Sequence, residues 1–200
     1  TPMNGDKGLM ASVPLPPDEV ERKLETIDGY VVCANKNCPR QTIIAGLTEP
    51  TRAAAEMFED EGHMVQFLNV SHAFHSKVVA AGSKPLREHL SGIDIKAPEV
   101  PILTNVTGGY HPSDPDAIRD LLAEQVAAPV EWVTQIERMY GDGARTFVEV
   151  GPKSALTTFT ESIIGRDREY VAVHTNHPKE GGTVSLYRAL GRLWSEGVWT

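Results

Sequence analysis

Cysteine is scarce, with two residues in 200, and so are aromatic side chains, at 6% of the chain. Two cysteines cannot build a disulfide framework. Cys33 and Cys38 have four residues between them instead of the two typical of zinc knuckles and thioredoxin-type sites, so both read as reduced cysteines, one in a strand and one in a turn. Positive charge is also short: 19 Lys and Arg face 27 Asp and Glu, a formal net charge of -8, and no Lys/Arg-rich block occurs. Neutralising phosphates needs clustered cations, so nucleic acid is not an expected partner. No apolar run approaches the ~20 residues that span a bilayer. The first eight residues lack a signal-peptide core, so a membrane is not expected and the cytoplasm is the expected compartment. The sequons at Asn69 and Asn105 would matter only outside the cell. The chain begins with Thr and a stretch rich in Gly, Pro, Asn and Asp, as a loop cut by proteases would, and reads as a piece of something longer.

What is present is a regular alternation of elements. Gly8 to Val13 reads as a strand, and Pro16-Pro17-Asp18 opens a helix through Thr26. Strands are expected at Tyr30 to Ala34 and Gln41 to Ala45, with a turn over Asn35 to Pro39 between them. A helix follows from Thr48 to Glu61, ended by Gly62, and then a strand from Met64 to Val70. The order βαββαβ is that of a ferredoxin-like split βαβ subdomain.

Beyond residue 70 the helices lengthen. Helices are expected over Lys77 to Leu90, Asp114 to Val126, Val130 to Tyr140, Ser154 to Ile164 and Gly181 to Gly197. Single strands are expected at Val100 to Thr104 and Thr146 to Val150, and a polar loop at His174 to Pro178. Such alternation marks one flank of an α/β layer.

Chemistry concentrates in Val70-Ser-His-Ala-Phe-His-Ser76, where a strand ends and two histidines bracket two other residues. Histidine can take a proton from a hydroxyl or thiol and return it to a leaving group, provided another group fixes its ring. Taken alone the pair fits equally half a metal site or two histidines hydrogen-bonded at an interface. No carboxylate or third histidine stands at ligand spacing, so no metal is assigned.

The order of four motifs is more specific. Val70 to Ser76, then Pro101-Ile-Leu-Thr-Asn-Val-Thr-Gly108, then Gln125-Val-Ala-Ala-Pro-Val-Glu-Trp132, then Phe147-Val-Glu-Val-Gly-Pro152, resembles the C-terminal part of the malonyl-type acyltransferase domain of polyketide and fatty-acid synthases. The resemblance covers about residues 8 to 165, and Leu186 to Gly197 resembles the linker that follows the domain. It implies an α/β fold in which a ferredoxin-like subdomain over residues 1–70 precedes part of an α/β-hydrolase-like acyltransferase subdomain over 71–173, with a linker and helix over 174–200. It implies that His75 is the catalytic base and that the carbonyl of Gln125 orients it. It implies also that His72, Ala73 and Phe74 bear on acyl selectivity, with Phe74 crowding an α-methyl branch and favouring malonyl. Glu149 and Pro152 are expected to shape the turn after their strand. The substrates implied are a coenzyme A thioester, malonyl-CoA, and the phosphopantetheine thiol of an acyl carrier protein; no further cofactor is implied. Lys36, Arg40, Lys84 and Arg87 are the candidate cations for docking an acidic carrier.

One departure matters. The family's nucleophilic serine sits in a Gly-His-Ser-x-Gly elbow, and no Gly-x-Ser-x-Gly occurs in these 200 residues. Ser71, Ser76 and Ser154 stand in no such elbow. The expectation is therefore a base and its orienter without the nucleophile, completed by an upstream half of the domain that also pairs the strands at 100–104 and 146–150. A non-catalytic interaction or scaffold module of the same fold is the alternative.

Overall fold

The computed structural model describes residues 5–198, so the N-terminal loop expected over residues 1–8 lies partly outside the described residues. The chain folds as two compact units, one ending at Gln135 and the other starting at Ile136.

The first unit opens with β1 (Leu9–Val13), α1 (Pro17–Leu24), β2 (Val31–Cys38), β3 (Gln41–Gly46), α2 (Thr48–Asp60) and a two-residue β4 (Gln66–Phe67). Its sheet has the order β2-β3-β1-β4, and every neighbouring pair is antiparallel. Proline at the first position of α1, Asp18 and Glu19 in its first turn and Arg22 and Lys23 in its last all suit the helix dipole. α2 starts where Asp6 accepts hydrogen bonds from the Thr48 amide at 2.8 Å and hydroxyl at 2.6 Å. The hydroxyl bond foremost holds the Asp6 carboxyl below its usual range.

Side chains alternate across the sheet as strand geometry requires. Ala11, Val13, Cys33 and Ile44 face Val20 and Leu24 of α1 and Ala54 and Phe58 of α2, while Met10, Ala34, Ile43 and Ala45 face away, toward Ala73 and Val78. Cys33 is buried, and burial first, then the charge of Glu21, pushes its thiol up to about 12. At pH 8 a thiol reagent should therefore leave Cys33 unlabelled in the folded protein and label it in urea. Rapid labelling of Cys33 in the native state would contradict this burial.

Three expectations for this unit are corrected. The turn expected at 35–39 is strand: β2 continues to Cys38 through two irregularities in register, and only Pro39 and Arg40 turn. The cause is a distant partner, because Lys36 N donates to Val130 O at 2.9 Å and Val130 N to Ala34 O at 2.8 Å. The strand expected at 64–70 is reduced to Gln66 and Phe67, with the Leu68 amide still donating to Met10 O of β1 at 2.9 Å. Further on, the Ala73 amide donates to Lys7 O. Finally, Val100 to Thr104 is not a buried strand: Val100 is 66% exposed, and the segment makes one bridge, Leu103 to Tyr110, across a local turn.

The remaining regular elements of this unit are helices. The helix expected at 77–90 divides into a 3-10 helix, Lys77–Gly82, and α3, Ser83–Leu90. α4 (Pro115–Glu124) is capped by Asp114, whose carboxylate accepts from the Ala117 amide at 2.8 Å. α5 (Trp132–Gly141) leads into the second unit.

There β5 (Thr146–Pro152), α6 (Ala155–Ile164), β6 (Val171–Asn176) and α7 (Gly182–Ser195) follow. β5 and β6 pair in parallel, so α6 is the crossover of a βαβ unit. The polar loop expected from His174 is strand as far as Asn176, because His174 pairs with Glu149 and Asn176 with Pro152. The Glu149 carboxylate accepts the Thr157 amide at 2.8 Å and hydroxyl at 2.7 Å, which ties the strand to the start of α6. Among the described residues no helix is long and apolar enough to cross a membrane.

Candidate active site

His72 to His75 form the connection between β4 and the 3-10 helix, and backbone contacts fix it at both ends. Gly8 lies against it at φ +69, where an added Cβ would strike the Gly46 carbonyl and the Ala73 methyl. Only glycine fits this close approach. At the other end the Ser76 hydroxyl donates to Ala73 O at 2.6 Å and accepts from the Val78 amide at 3.3 Å, and the Tyr30 hydroxyl accepts from the Lys77 amide at 2.8 Å. Ser76 is 1% exposed, so its hydroxyl is spent on the fold.

His75 adopts a left-handed backbone, φ +57, uncommon for a residue with a Cβ. Its amide donates to Val126 O at 3.2 Å. Its ring Nδ1 lies 3.2 Å from the backbone carbonyl of Gln125 and 3.2 Å from that of Ala128. Carbonyls only accept, so Nδ1 carries the hydrogen, and in the neutral ring it is Nε2 that holds the lone pair. Nε2 makes no hydrogen bond among the described residues. Gln125 is the C-cap of α4, and the last carbonyls of a helix lack intrahelical partners, so the ring satisfies groups that the helix leaves open.

The surroundings form two shallow pockets. One, of about 280 Å³, is lined by Phe74, His75, Leu122, Gln125 and Val126. The other, of about 340 Å³, lies between His72, Phe74, Val78, Val79, Gly82 and Val126. Phe74 contributes to both and is 43% exposed. The His72 ring meets it edge-on with centroids 6.2 Å apart and has the Ser71 hydroxyl 3.1 Å from its Nδ1. Ala73 is fully buried in the core behind the loop and lines neither pocket.

The residues that the sequence singles out therefore come together, with two refinements. Gln125 reaches the ring through its backbone, so the side chain could be replaced without removing the contact. The second acceptor, Ala128, carries no chemical signal in its side chain, and nothing in the sequence points to it. No group of three or more His, Cys, Asp or Glu among the described residues could hold a metal ion.

Two of the four candidate docking cations are ion-paired. Lys36 lies 2.9 Å from both Glu21 and Glu131; burial pulls its ammonium down, but the bonds to these two carboxylates raise it to about 12. Arg87 pairs with Asp116 and Asp120. Both are neutralised within the fold. Arg40 is exposed, and the Lys84 side chain is 86% exposed, 4.0 Å from Glu88.

The geometry thus gives a mixed α/β fold carrying a histidine held at Nδ1 by two backbone carbonyls. Comparison with known proteins gives the family. The chain belongs to the acyl transferase domain family, which matches residues 1–185. It is 33% identical over 196 residues to a polyunsaturated fatty acid synthase protein of Thraustochytrium sp., covering 96% of this chain and 7% of that protein. It is 31% identical over 146 residues to the malonyl CoA-acyl carrier protein transacylase of Bacillus subtilis, covering 72% of this chain and 46% of that protein. The fold superposes on the acyltransferase domain from the second module of the salinomycin polyketide synthase with a TM-score of 0.85 at 26% identity, covering 97% of this chain and 45% of that one. The chain thus spans about half or less of each of these relatives.

Proposed function

We propose that this chain supplies the general base of an acyltransferase that moves malonyl from coenzyme A to the phosphopantetheine thiol of an acyl carrier protein. The observation that carries the reading is the His75 ring, held at Nδ1 by two backbone carbonyls, in a residue that lines a pocket. The malonyl and carrier substrates follow from the named transacylase relative. The nucleophilic serine belongs to a segment outside these 200 residues, in keeping with the absence of a Gly-x-Ser-x-Gly elbow.

In the first half-reaction the serine hydroxyl attacks the thioester carbonyl while Nε2 of His75 takes its proton. The tetrahedral intermediate collapses, the carbon–sulfur bond breaks, and Nε2 returns the proton to the departing sulfur, so that coenzyme A leaves as the thiol. In the second, the carrier thiol gives its proton to Nε2, its sulfur attacks the serine ester, and the departing serine oxygen recovers the proton. The carbonyls of Gln125 and Ala128 face the ring during the intervals in which it is positively charged. No other cofactor enters the cycle.

In this reading β1 to β4 with α1 and α2 are the ferredoxin-like subdomain over residues 1–70, supported by the sheet order β2-β3-β1-β4. Residues 71–173 are part of the hydrolase-like subdomain, and 174–200 are the linker and helix.

Phe74 and His72 form the selectivity wall, and Ala73 holds that wall against the sheet. Replacing Phe74 by Ser together with His72 by Tyr should raise the ratio of methylmalonyl to malonyl transfer. One methyl group in a pocket is worth ~1–3 kcal/mol, or roughly 10–200-fold. Competition between the two coenzyme A esters measures it; an unchanged ratio would place the wall elsewhere.

A further inference from the structure

The segment whose carbonyls meet the His75 ring is joined to the edge of the small sheet close to Lys36. Ala128 lies two residues before Val130, and Val130 extends β2 as a short parallel partner: it bridges Asn35, receives the Lys36 amide at 2.9 Å and donates to Ala34 O at 2.8 Å. β2 is irregular on both sides of this point, between Cys33 and Asn35 and between Lys36 and Cys38. Such bulges re-aim side chains beside functional sites.

Here the Lys36 ammonium sits between Glu21 of α1 and Glu131, the residue after Val130, at 2.9 Å from each. The Lys36 and Glu131 side chains are only 21% and 19% exposed, so the pair is less screened than a surface contact. Glu131 is braced further: its amide donates to Asn105 O at 3.1 Å and its carboxylate accepts from the Thr134 hydroxyl at 3.1 Å.

We propose that Lys36 is a positioning residue for His75: by clamping Glu131 to α1 and β2 it fixes the 125–131 segment, and with it the two carbonyls that hold the ring in the Nδ1–H form. The proposal rests on the acyltransferase reading only for its effect on rate; its effect on the ring does not depend on that reading. A misplaced orienting group of this kind costs on the order of 10-fold or more in rate, since a shift of ~1 Å remote from the chemistry can cost 10²-fold.

The test uses the polypeptide that contains this chain together with the serine-bearing segment. Lys36→Met, Lys36→Arg and His75→Asn are compared with the parent by two readouts: malonyl transfer to a carrier protein, and nitrogen-15 NMR of the His75 ring, assigned by its loss in His75→Asn. The parent should show a single Nδ1–H tautomer. Lys36→Met should show a mixture of tautomers and a kcat about 10-fold lower with little change in KM, and Lys36→Arg should restore both. Should Lys36→Met not fold, Glu131→Gln preserves the side-chain volume while removing the charge and carries the same expectation. A folded Lys36→Met or Glu131→Gln with an unchanged ring spectrum and kcat overturns the proposal. Undiminished transfer in His75→Asn overturns the reading of His75 as the general base instead, and the ring spectrum then decides the role of Lys36 by itself.

Discussion

Replacing His75 by Asn in a polypeptide that also carries the serine is expected to slow malonyl-enzyme formation roughly 10²–10⁴-fold, the range for removal of a positioned acid–base group. Asn is the informative substitution because the backbone there has φ +57. Asparagine tolerates this conformation, whereas a β-substituted residue without a local hydrogen bond is strained by ~1–2 kcal/mol. Loss of rate in a variant with unchanged unfolding behaviour then reports the missing proton acceptor. The matching control is Gln125→Ala: only the backbone carbonyl of Gln125 contacts Nδ1, so transfer should remain within a few-fold of the parent. Retained rate in His75→Asn, measured by quenched-flow acylation, would remove the base from the mechanism.

The second large effect concerns the sheet on which the site is built. Among the described residues Phe58 is the largest of the fully buried side chains, at 0% exposure on the face of α2 that meets Ala11, Val13 and Ile44. Phe58→Ala removes a ring from a close-packed interior and leaves a cavity, which costs about 3–5 kcal/mol. Urea unfolding followed by circular dichroism should show the midpoint fall with the slope unchanged. A loss below about 1 kcal/mol would mean that this core can collapse around the gap, which close-packed interiors do only in part.

How far these features can be read from sequence depends on whether their cause is local. The order of β1 to α2 is legible because each start and stop carries its own signal, such as Pro16-Pro17 before α1 and Gly62 after α2. The extension of β2 to Cys38 is not, since Asn35 and Pro39 read as a turn and the partner that overrides them, Val130, lies about a hundred residues away. β6 is hidden past Val173 for the same reason: His174 to Asn176 is polar by composition and becomes strand by pairing with Glu149 and Pro152. Val100 to Thr104 errs in the other direction, an apolar run that reads as buried strand yet meets only its own turn. At the site, His75 is visible as a side chain of the right chemistry. Ala128 is invisible, because a backbone carbonyl leaves no mark in residue type. The pairing of Lys36 and Arg87 with carboxylates is hidden as well, since sequence shows charge and not its neighbours.

The central proposal is that His75 serves a serine in two-step transfer of malonyl between thiols. Initial rates of malonyl-carrier formation, measured over a grid of malonyl-CoA and phosphopantetheinylated carrier concentrations with the serine-bearing polypeptide, test this most directly. Parallel double-reciprocal lines, the mark of a ping-pong mechanism, are predicted, together with a malonylated protein detectable by intact mass when the carrier is withheld. Intersecting lines with no malonylated protein, or a folded polypeptide that transfers no malonyl, would contradict it.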